Sequence, residues 1–154
     1  MEETGISVNT SDEMFIFRIG KKRWGCGTTF VEQVIKIDNY TPVPFVSPSV
    51  MGIVYLTGGV VPILIPHEIL GEKSDVTVWN NKEAVVLSFK GARVAVGVDG
   101  LEDILKLSGN IENANLNFSS GIVRLANKRI YLLDIPAFFD EIRARIKPAE
   151  SVEN

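Results

Sequence analysis

The chain has 154 residues, of which 45% are hydrophobic and 23% are charged, and its formal net charge is −3. This is the composition of an ordinary folded protein, so it excludes extended disorder and a long coiled coil. The negative net charge, with basic runs confined to Lys21–Arg23 and Arg143–Lys147, argues against a nucleic-acid-binding protein.

Neither export nor membrane insertion is predicted. The first 13 residues are acidic and polar, unlike a signal peptide, and the solitary Cys26 fits a reducing compartment. The most apolar stretch, Val50–Pro66, is shorter than the roughly 20 residues of a membrane-spanning helix and contains glycine and proline. We therefore expect a cytoplasmic protein that reaches a membrane, or a membrane receptor array, only through its partners.

The first predicted element is a hairpin that pairs Phe15–Ile19 with Trp24–Cys26, with Lys21–Arg23 as its exposed turn. The next segment favours about two helical turns, with a strand as the alternative, because apolar residues recur there at helical spacing. These residues are Phe30, Val31, Val34 and Ile35.

Two further hairpins are predicted in the middle of the chain. Ile53–Leu56 and Val60–Leu64 flank a glycine-containing turn at 57–59, and Pro62 favours an edge strand because proline cannot donate to a ladder. Ala84–Phe89 and Ala92–Val98 are β-branched runs joined at Lys90 and Gly91, and Val76–Trp79 is predicted to add a strand before them.

The end of the chain predicts a helix that packs on a sheet. Pro136 suits a first helical turn, and the apolar residues that follow occupy one stripe. This stripe contains Ile135, Phe138, Phe139, Ile142 and Ile146.

A weak internal repeat is the most informative pattern, since Gly52–Leu56 resembles Gly121–Leu125 and the runs Val60–Leu64 and Arg129–Leu133 then align without gaps. Two sheet units in a chain of this length are each too small to bury much alone, so their faces should pack together. The repeat predicts a mainly β fold of two small barrels around a shared core. Residues expected at equivalent positions are Ile53, Leu56 and Ile63 in one unit and Ile122, Leu125 and Leu132 in the other.

No motif predicts catalysis, a cofactor or a metal site. Cys26 and His67 lack any sequence context that would activate them, and His67 has no companion ligands at metal spacing. Gly25–Gly27 begins like a dinucleotide fingerprint without its third glycine, and Asp99 and Asp103 are explained as solvent-facing charges.

In order along the chain, these residues resemble the CheW family. Gly52–His67 aligns without gaps with the family pattern G-V-x-N-L-R-G-x-[IV]-x-P-[IV]-x-D-L-R. Phe17–Val34 is similar to the family's opening segment, Val98–Leu105 to its V-D-x-V segment, and Gly121–Phe139 to its closing G-x-x-x-L…L-D segment. The resemblance implies one domain at 14–147 that contains two five-stranded SH3-like barrels. Residues 1–13 and 148–154 are polar and lack periodicity, so we expect them to be flexible tails.

The resemblance also implies a function. Members of this family are adaptors without catalytic residues that couple the cytoplasmic tip of a chemoreceptor to the regulatory domain of a CheA-type histidine kinase. The alternative is a divergent module of the same fold that binds a kinase or another partner in a different motility or regulatory pathway, without standard receptor docking.

The partner-binding residues that the resemblance implies cluster in the second hairpin and its flanks. They are Gln33, Val54, Tyr55, Leu56, Thr57, Gly58, Ile65 and His67. Several depart from the family pattern: Thr57 replaces an arginine, Gln33 a glutamate and Ile65 an aspartate, so we expect the contact to be less charged. Val54, Leu56 and Ile65 are candidates for apolar contact, with a purely core role as the alternative.

Overall fold

A computed structural model describes residues 13–43, 49–70 and 83–146, apart from the side chains of His67 and Glu68. The flexible tails predicted at 1–13 and 148–154, except Glu13, and the strand predicted at Val76–Trp79 lie outside these ranges. The strands are β1 (Glu13–Ile19), β2 (Lys22–Gly27), β3 (Val31–Lys36), β4 (Val50–Leu56), β5 (Gly59–Leu64), β6 (Glu83–Phe89), β7 (Ala92–Val98), β8 (Gly100–Lys106), β9 (Ser119–Leu125) and β10 (Lys128–Leu133). The helices are α1 (His67–Leu70) and α2 (Ile135–Arg145), and Thr28–Phe30 forms one turn of 3-10 helix.

The strands form two five-stranded sheets, which we call barrel A (order β8-β1-β2-β10-β9) and barrel B (order β3-β6-β7-β5-β4). Barrel A takes the β1–β2 hairpin from the first half of the chain and its other three strands from the second half. Barrel B takes the β6–β7 hairpin from the second half and its other three strands from the first half. The mainly β class with two five-stranded SH3-like subdomains is therefore confirmed, but the strands are exchanged between the two halves.

The predicted repeat is confirmed by the strand register. Leu56 lies opposite Gly59 at the end of the β4–β5 hairpin, as Leu125 lies opposite Lys128 in β9–β10. Both barrels also contain one parallel pair of strands: β5 runs parallel to β7 in barrel B, and β10 runs parallel to β2 in barrel A.

The apolar side chains form three clusters, one inside each barrel and one between them. Barrel B encloses a cluster that includes Val61 and Ile63, and barrel A one that includes Ile130 and Leu132. The largest cluster joins both barrels to α2 and includes the fully buried Phe138. The shared core predicted from the size of the repeat units is thus present.

Helix α2 follows the predicted pattern. The Asp134 side chain caps its first turn by accepting a hydrogen bond from the Ala137 amide at 3.1 Å, and Pro136 occupies that turn. Four residues of the predicted stripe are buried and Ile146 is partly buried against the shared core. The helix packs between the barrels, with contacts to β6.

The preferred prediction of a helix around Phe30–Ile35 is wrong, and the alternative strand is what forms. Glu32 is an extra residue in β3, so Val31 lies opposite Leu87 and Val34 opposite Val85 on the same face of the sheet. Because of the bulge, the apolar residues Val31 and Val34 on this face are three positions apart in sequence, whereas a regular strand would place them two apart. That spacing imitates a helix.

Two smaller expectations also need correction. The first hairpin turns at Gly20 and Lys21, whereas Lys22 and Arg23 belong to β2. Pro62 is not on an edge strand, because β5 lies between β7 and β4. It is tolerated there because the parallel ladder with β7 contains only Ile63 and Leu64, so Pro62 lies outside it.

Candidate partner-binding surface

The β4–β5 hairpin presents an apolar face to solvent. Tyr55 is 68% exposed and lies opposite Val60, which is 50% exposed. Alternation along the two strands places Ile53 and Pro62, which are half-buried, on the same face. We call these four residues the tyrosine face. Exposed aromatic and aliphatic side chains that lie side by side are typical of protein interfaces.

The opposite face of the same hairpin belongs to the barrel interior. Val54 and Leu56 are partly buried and pack against the apolar cluster of barrel B. Val54 and Leu56, which were predicted to bind a partner, therefore contribute to the core of the barrel. Tyr55, which lies between them, points outward. This placement favours the core role that the sequence left open for Val54 and Leu56.

The turn of this hairpin lies beside the ion pair of Arg93 and Glu32. Thr57 and Gly58 are exposed, and a Cβ on Gly58 would come within 3.3 Å of the Arg93 guanidinium. Arg93 donates to both carboxylate oxygens of Glu32, from Nε at 3.0 Å and from Nη2 at 2.6 Å. The hydrogen bond from Arg93 is the main reason that the pKa of Glu32 is lowered.

This ion pair brings two parts of the predicted site together. Gln33 is exposed and follows Glu32 on β3, which stands at the opposite end of the strand order from β4. Because Arg93 is bonded to Glu32 and lies beside Gly58, Gln33 and the Thr57–Gly58 turn lie on one rim of barrel B. We call Gln33, Glu32, Arg93, Thr57 and Gly58 the polar rim.

Ile65 and His67 lie away from that rim. Ile65 follows β5, is partly buried and donates its amide to the Ser49 carbonyl at 2.6 Å. At about 3.3 Å per residue, the length of β5 places it roughly 20 Å from the turn. His67 begins α1, and its side chain is outside the described part of the structure.

Sequence reasoning missed Glu32 and Arg93, although the repeat contained the signal. In barrel A, Arg23 donates from Nε to Glu102 at 2.9 Å, and Glu102 occupies the equivalent bulge in β8. The same pair of residue types at equivalent positions of both units indicates that the contact is part of the repeated architecture.

The described residues offer little for catalysis. Cys26 is buried, and burial raises the pKa of its thiol to about 12, so a reactive thiolate is not available. Across the ranges that the structure describes, no group of three or more histidine, cysteine, aspartate or glutamate side chains is arranged to hold a metal ion. Neither of the described helices is long and apolar enough to cross a membrane.

Comparison with known proteins places this geometry in a family. The family model for the CheW-like domain matches residues 13–143. The chemotaxis protein CheW of Thermotoga maritima is 27% identical over 139 residues, covering 86% of this chain and 91% of the relative. The chemotaxis protein CheW of Bacillus subtilis is 22% identical over 142 residues, covering 87% and 90%.

A solved structure shows the same fold. The scaffolding protein TtCheW from Thermoanaerobacter tengcongensis superposes with a TM-score of 0.70 at 18% identity, over 86% of this chain and 90% of that one. Together with the family match over nearly all of the described residues, this establishes that the chain belongs to the family of CheW-like domain proteins.

Proposed function

We propose that this protein is a non-enzymatic cytoplasmic scaffold that couples the cytoplasmic tips of chemoreceptors to the regulatory domain of a CheA-type histidine kinase. Membership of the CheW-like family and the names of the chemotaxis relatives support this role. The observation that carries it is the tyrosine face, an exposed apolar surface that adjoins the polar rim.

The tyrosine face has the properties of an interface centre. Tyrosine contributes a large, stiff contact area and a hydroxyl group, and it is enriched among residues that dominate binding energy. Tyr55 lies on the edge strand β4, which on its outer side is bridged to Thr41 at Ile53. Because Tyr55 and Val60 are exposed and lie side by side, a partner can contact both side chains at once. The polar rim would then supply directional contacts around an apolar centre.

Binding measurements with a matched control test this proposal. The Tyr55→Ala and Val60→Ala variants are compared with Ile104→Ala, since Ile104 is 52% exposed on the other barrel. Affinities are measured by calorimetry against the kinase regulatory domain and the receptor tips from the same cell. We expect Tyr55→Ala to weaken at least one of these complexes about tenfold, as truncation of a central aromatic residue does, and Ile104→Ala to change neither. Unchanged affinity of Tyr55→Ala for both partners would contradict the proposal.

The response to salt tests the receptor contact separately. Thr57 and Gln33 are neutral at two positions where the family pattern carries charge, and the nearby Arg93 is already paired with Glu32. Ions screen exposed charges over about 8 Å at physiological salt, so a contact made mainly by neutral groups should weaken little as salt increases. The Thr57→Arg,Gln33→Glu variant should show a steeper decline in receptor-tip affinity. An equally steep decline for the natural chain would show that other charges dominate.

The neutral residues Thr57 and Gln33 of the polar rim also support the second candidate function. A CheW-like module that binds a kinase without standard receptor docking would have no need of the charged positions that Thr57 and Gln33 replace. In the calorimetric test, this candidate predicts binding to the kinase domain and none to the receptor tips.

A further inference from the structure

The surface of barrel A that corresponds to the tyrosine face differs sharply in chemistry. In β9 and β10, Arg124 lies directly opposite Arg129, at the positions that Tyr55 and Val60 occupy in barrel B. Both arginines are exposed. The two halves of the repeat therefore share a backbone arrangement but present an apolar pair in one barrel and a doubly cationic pair in the other.

This cationic pair is unfavourable for the isolated protein. Like charges directly opposite each other on neighbouring strands destabilise a sheet. The guanidinium of Arg129 and the ammonium of Lys22 both lie over the Tyr131 ring, 5.8 and 5.9 Å from its centroid. The ring thus attracts further positive charge to the same surface.

The other arginines of the chain all lie near a carboxylate. Arg18, Arg23, Arg93, Arg143 and Arg145 each lie within 3.9 Å of a carboxylate. For Arg124 and Arg129, no carboxylate in the described part of the chain lies within ion-pair distance. These two guanidiniums therefore retain the capacity to bind carboxylates outside the described residues.

We propose that Arg124, Arg129 and Tyr131, which we call the arginine face, dock an acidic surface of a protein partner. Guanidinium groups bind carboxylates in a bidentate manner, and two of them on adjacent strands can receive a pair of neighbouring carboxylates. A nucleic acid fits less well, because two arginines can neutralise only a few phosphates. The chain as a whole also carries a net charge of −3, which repels a polyanion. The proposal does not depend on which partner occupies the tyrosine face.

A polyglutamate peptide serves as the probe of this surface, with polyglutamine and polylysine peptides as controls. The test variant is Arg124→Tyr,Arg129→Val, which installs the residues of the equivalent pair in barrel B. The matched control is Lys36→Gln,Lys106→Gln, which removes the same charge from exposed positions on β3 and β8. Calorimetry at low salt should show polyglutamate binding that the arginine variant weakens about tenfold and the lysine variant leaves within about twofold.

A second variant separates charge recognition from loss of structure. Arg124→Glu converts the like-charge pair into an opposite-charge pair, so the melting temperature at low salt should rise while polyglutamate binding is lost. Absence of polyglutamate binding by the natural chain, or equal losses in the arginine and lysine variants, would overturn the proposal. So would a short DNA duplex or anionic lipid vesicles that bind the arginine face more tightly than polyglutamate.

Discussion

At the scale of single residues, two arginine–glutamate pairs connect the halves of the chain. Arg23 from the first half contacts Glu102 from the second, and Arg93 from the second contacts Glu32 from the first. Both glutamates are the extra residues of β-bulges. A bulge re-aims the side chain that it carries, and here it aims each glutamate at the strand beyond its neighbour.

Glu102 should stabilise the protein in a pH-dependent manner. A hydrogen bond from Arg23, together with the charges of Arg23 and Lys128, lowers its pKa below the ordinary value of 4.5. A carboxyl group with a lowered folded-state pKa contributes stability above pH 4.5, and that contribution is lost as the pH falls through the folded-state value. Glu102→Gln should therefore lower the free energy of unfolding at neutral pH by up to about 1 kcal/mol.

Urea unfolding of the natural chain and of Glu102→Gln from pH 7 down to pH 3 measures this effect. The difference between the two proteins should be constant above pH 5 or so and should shrink below 4.5. The exposed Asp140→Asn serves as the control, because its pairing with Arg143 is local to one helix face. A difference that stays constant down to pH 3 would mean that the charge of Glu102 is not what stabilises the fold.

The sequence predicted part of the candidate site at this scale. The family pattern placed Tyr55, Thr57, Gly58 and Gln33 in a partner-binding set, and the structure exposes all four. It did not predict the contact between Arg93 and Glu32, because these residues are 61 positions apart and meet only through the register of the strands. Nor did it predict that Tyr55 is exposed while its neighbours Val54 and Leu56 are partly buried. That difference follows from the alternation of side chains along β4 once the pairing of the strand is known.

At the scale of elements, the hairpins were predictable and β3 was not. Glycine at turns and alternating β-branched runs define β4–β5 and β6–β7 from local sequence alone. In β3, the bulge at Glu32 disturbs the period of two on which a strand prediction depends. The equivalent strand β8 contains the same irregularity at Glu102, where Leu101 and Ile104 share one face. Local periodicity cannot distinguish a bulged strand from a short helix.

Gly52 should be essential to the closure of barrel B. The backbone of Thr41 exchanges two hydrogen bonds of 2.9 Å with Ile53 beside it. A Cβ on Gly52 would lie 2.5 Å from the Thr41 carbonyl oxygen, which is backbone and cannot rotate away. Gly52→Ala should therefore destabilise the protein by about 2 kcal/mol, the cost of overpacking a close contact.

Gly27→Ala is the matched control for this substitution. A Cβ on Gly27 would make only ordinary contacts, at 3.6 Å, with Phe30 and Thr29. Urea denaturation of both variants should give a midpoint close to that of the natural chain for Gly27→Ala and a clearly lower one for Gly52→Ala. Equal midpoints would show that the segment at Thr41 can move away without cost.

At the scale of the whole molecule, the exchange of strands between the halves lies beyond sequence reasoning. The repeat makes β3 and β8 equivalent, so each could pair with β1 or with β6 by the same pattern. Either choice would place a bulge glutamate beside an arginine, at Arg23 or at Arg93. Local chemistry therefore does not select between them. The selection must come from the connections and from the shared core, which the exchange keeps between the two barrels.

The exchange predicts that neither half of the chain folds alone. A fragment that ends between α1 and β6 contains β1 to β5, which contribute two strands to barrel A and three to barrel B. It leaves the shared-core residues Phe17, Trp24 and Leu64 without the α2 residues and the β6 and β7 strands that cover them. Exposing that much apolar surface removes the main driving force for folding.

Expressing the two fragments separately and then mixing them tests this interdependence. Each fragment alone should lack a cooperative thermal transition as a monomer, and the equimolar mixture should recover the circular dichroism spectrum and the cooperative unfolding of the intact chain. The Trp24 side chain, fully buried in the shared core, provides a fluorescence signal for reassembly. A fragment that melts cooperatively as a monomer would show that one half can close its own barrel by pairing β3 with β1, or β8 with β6. In that case the exchanged arrangement would be a product of linking the halves rather than a requirement for folding.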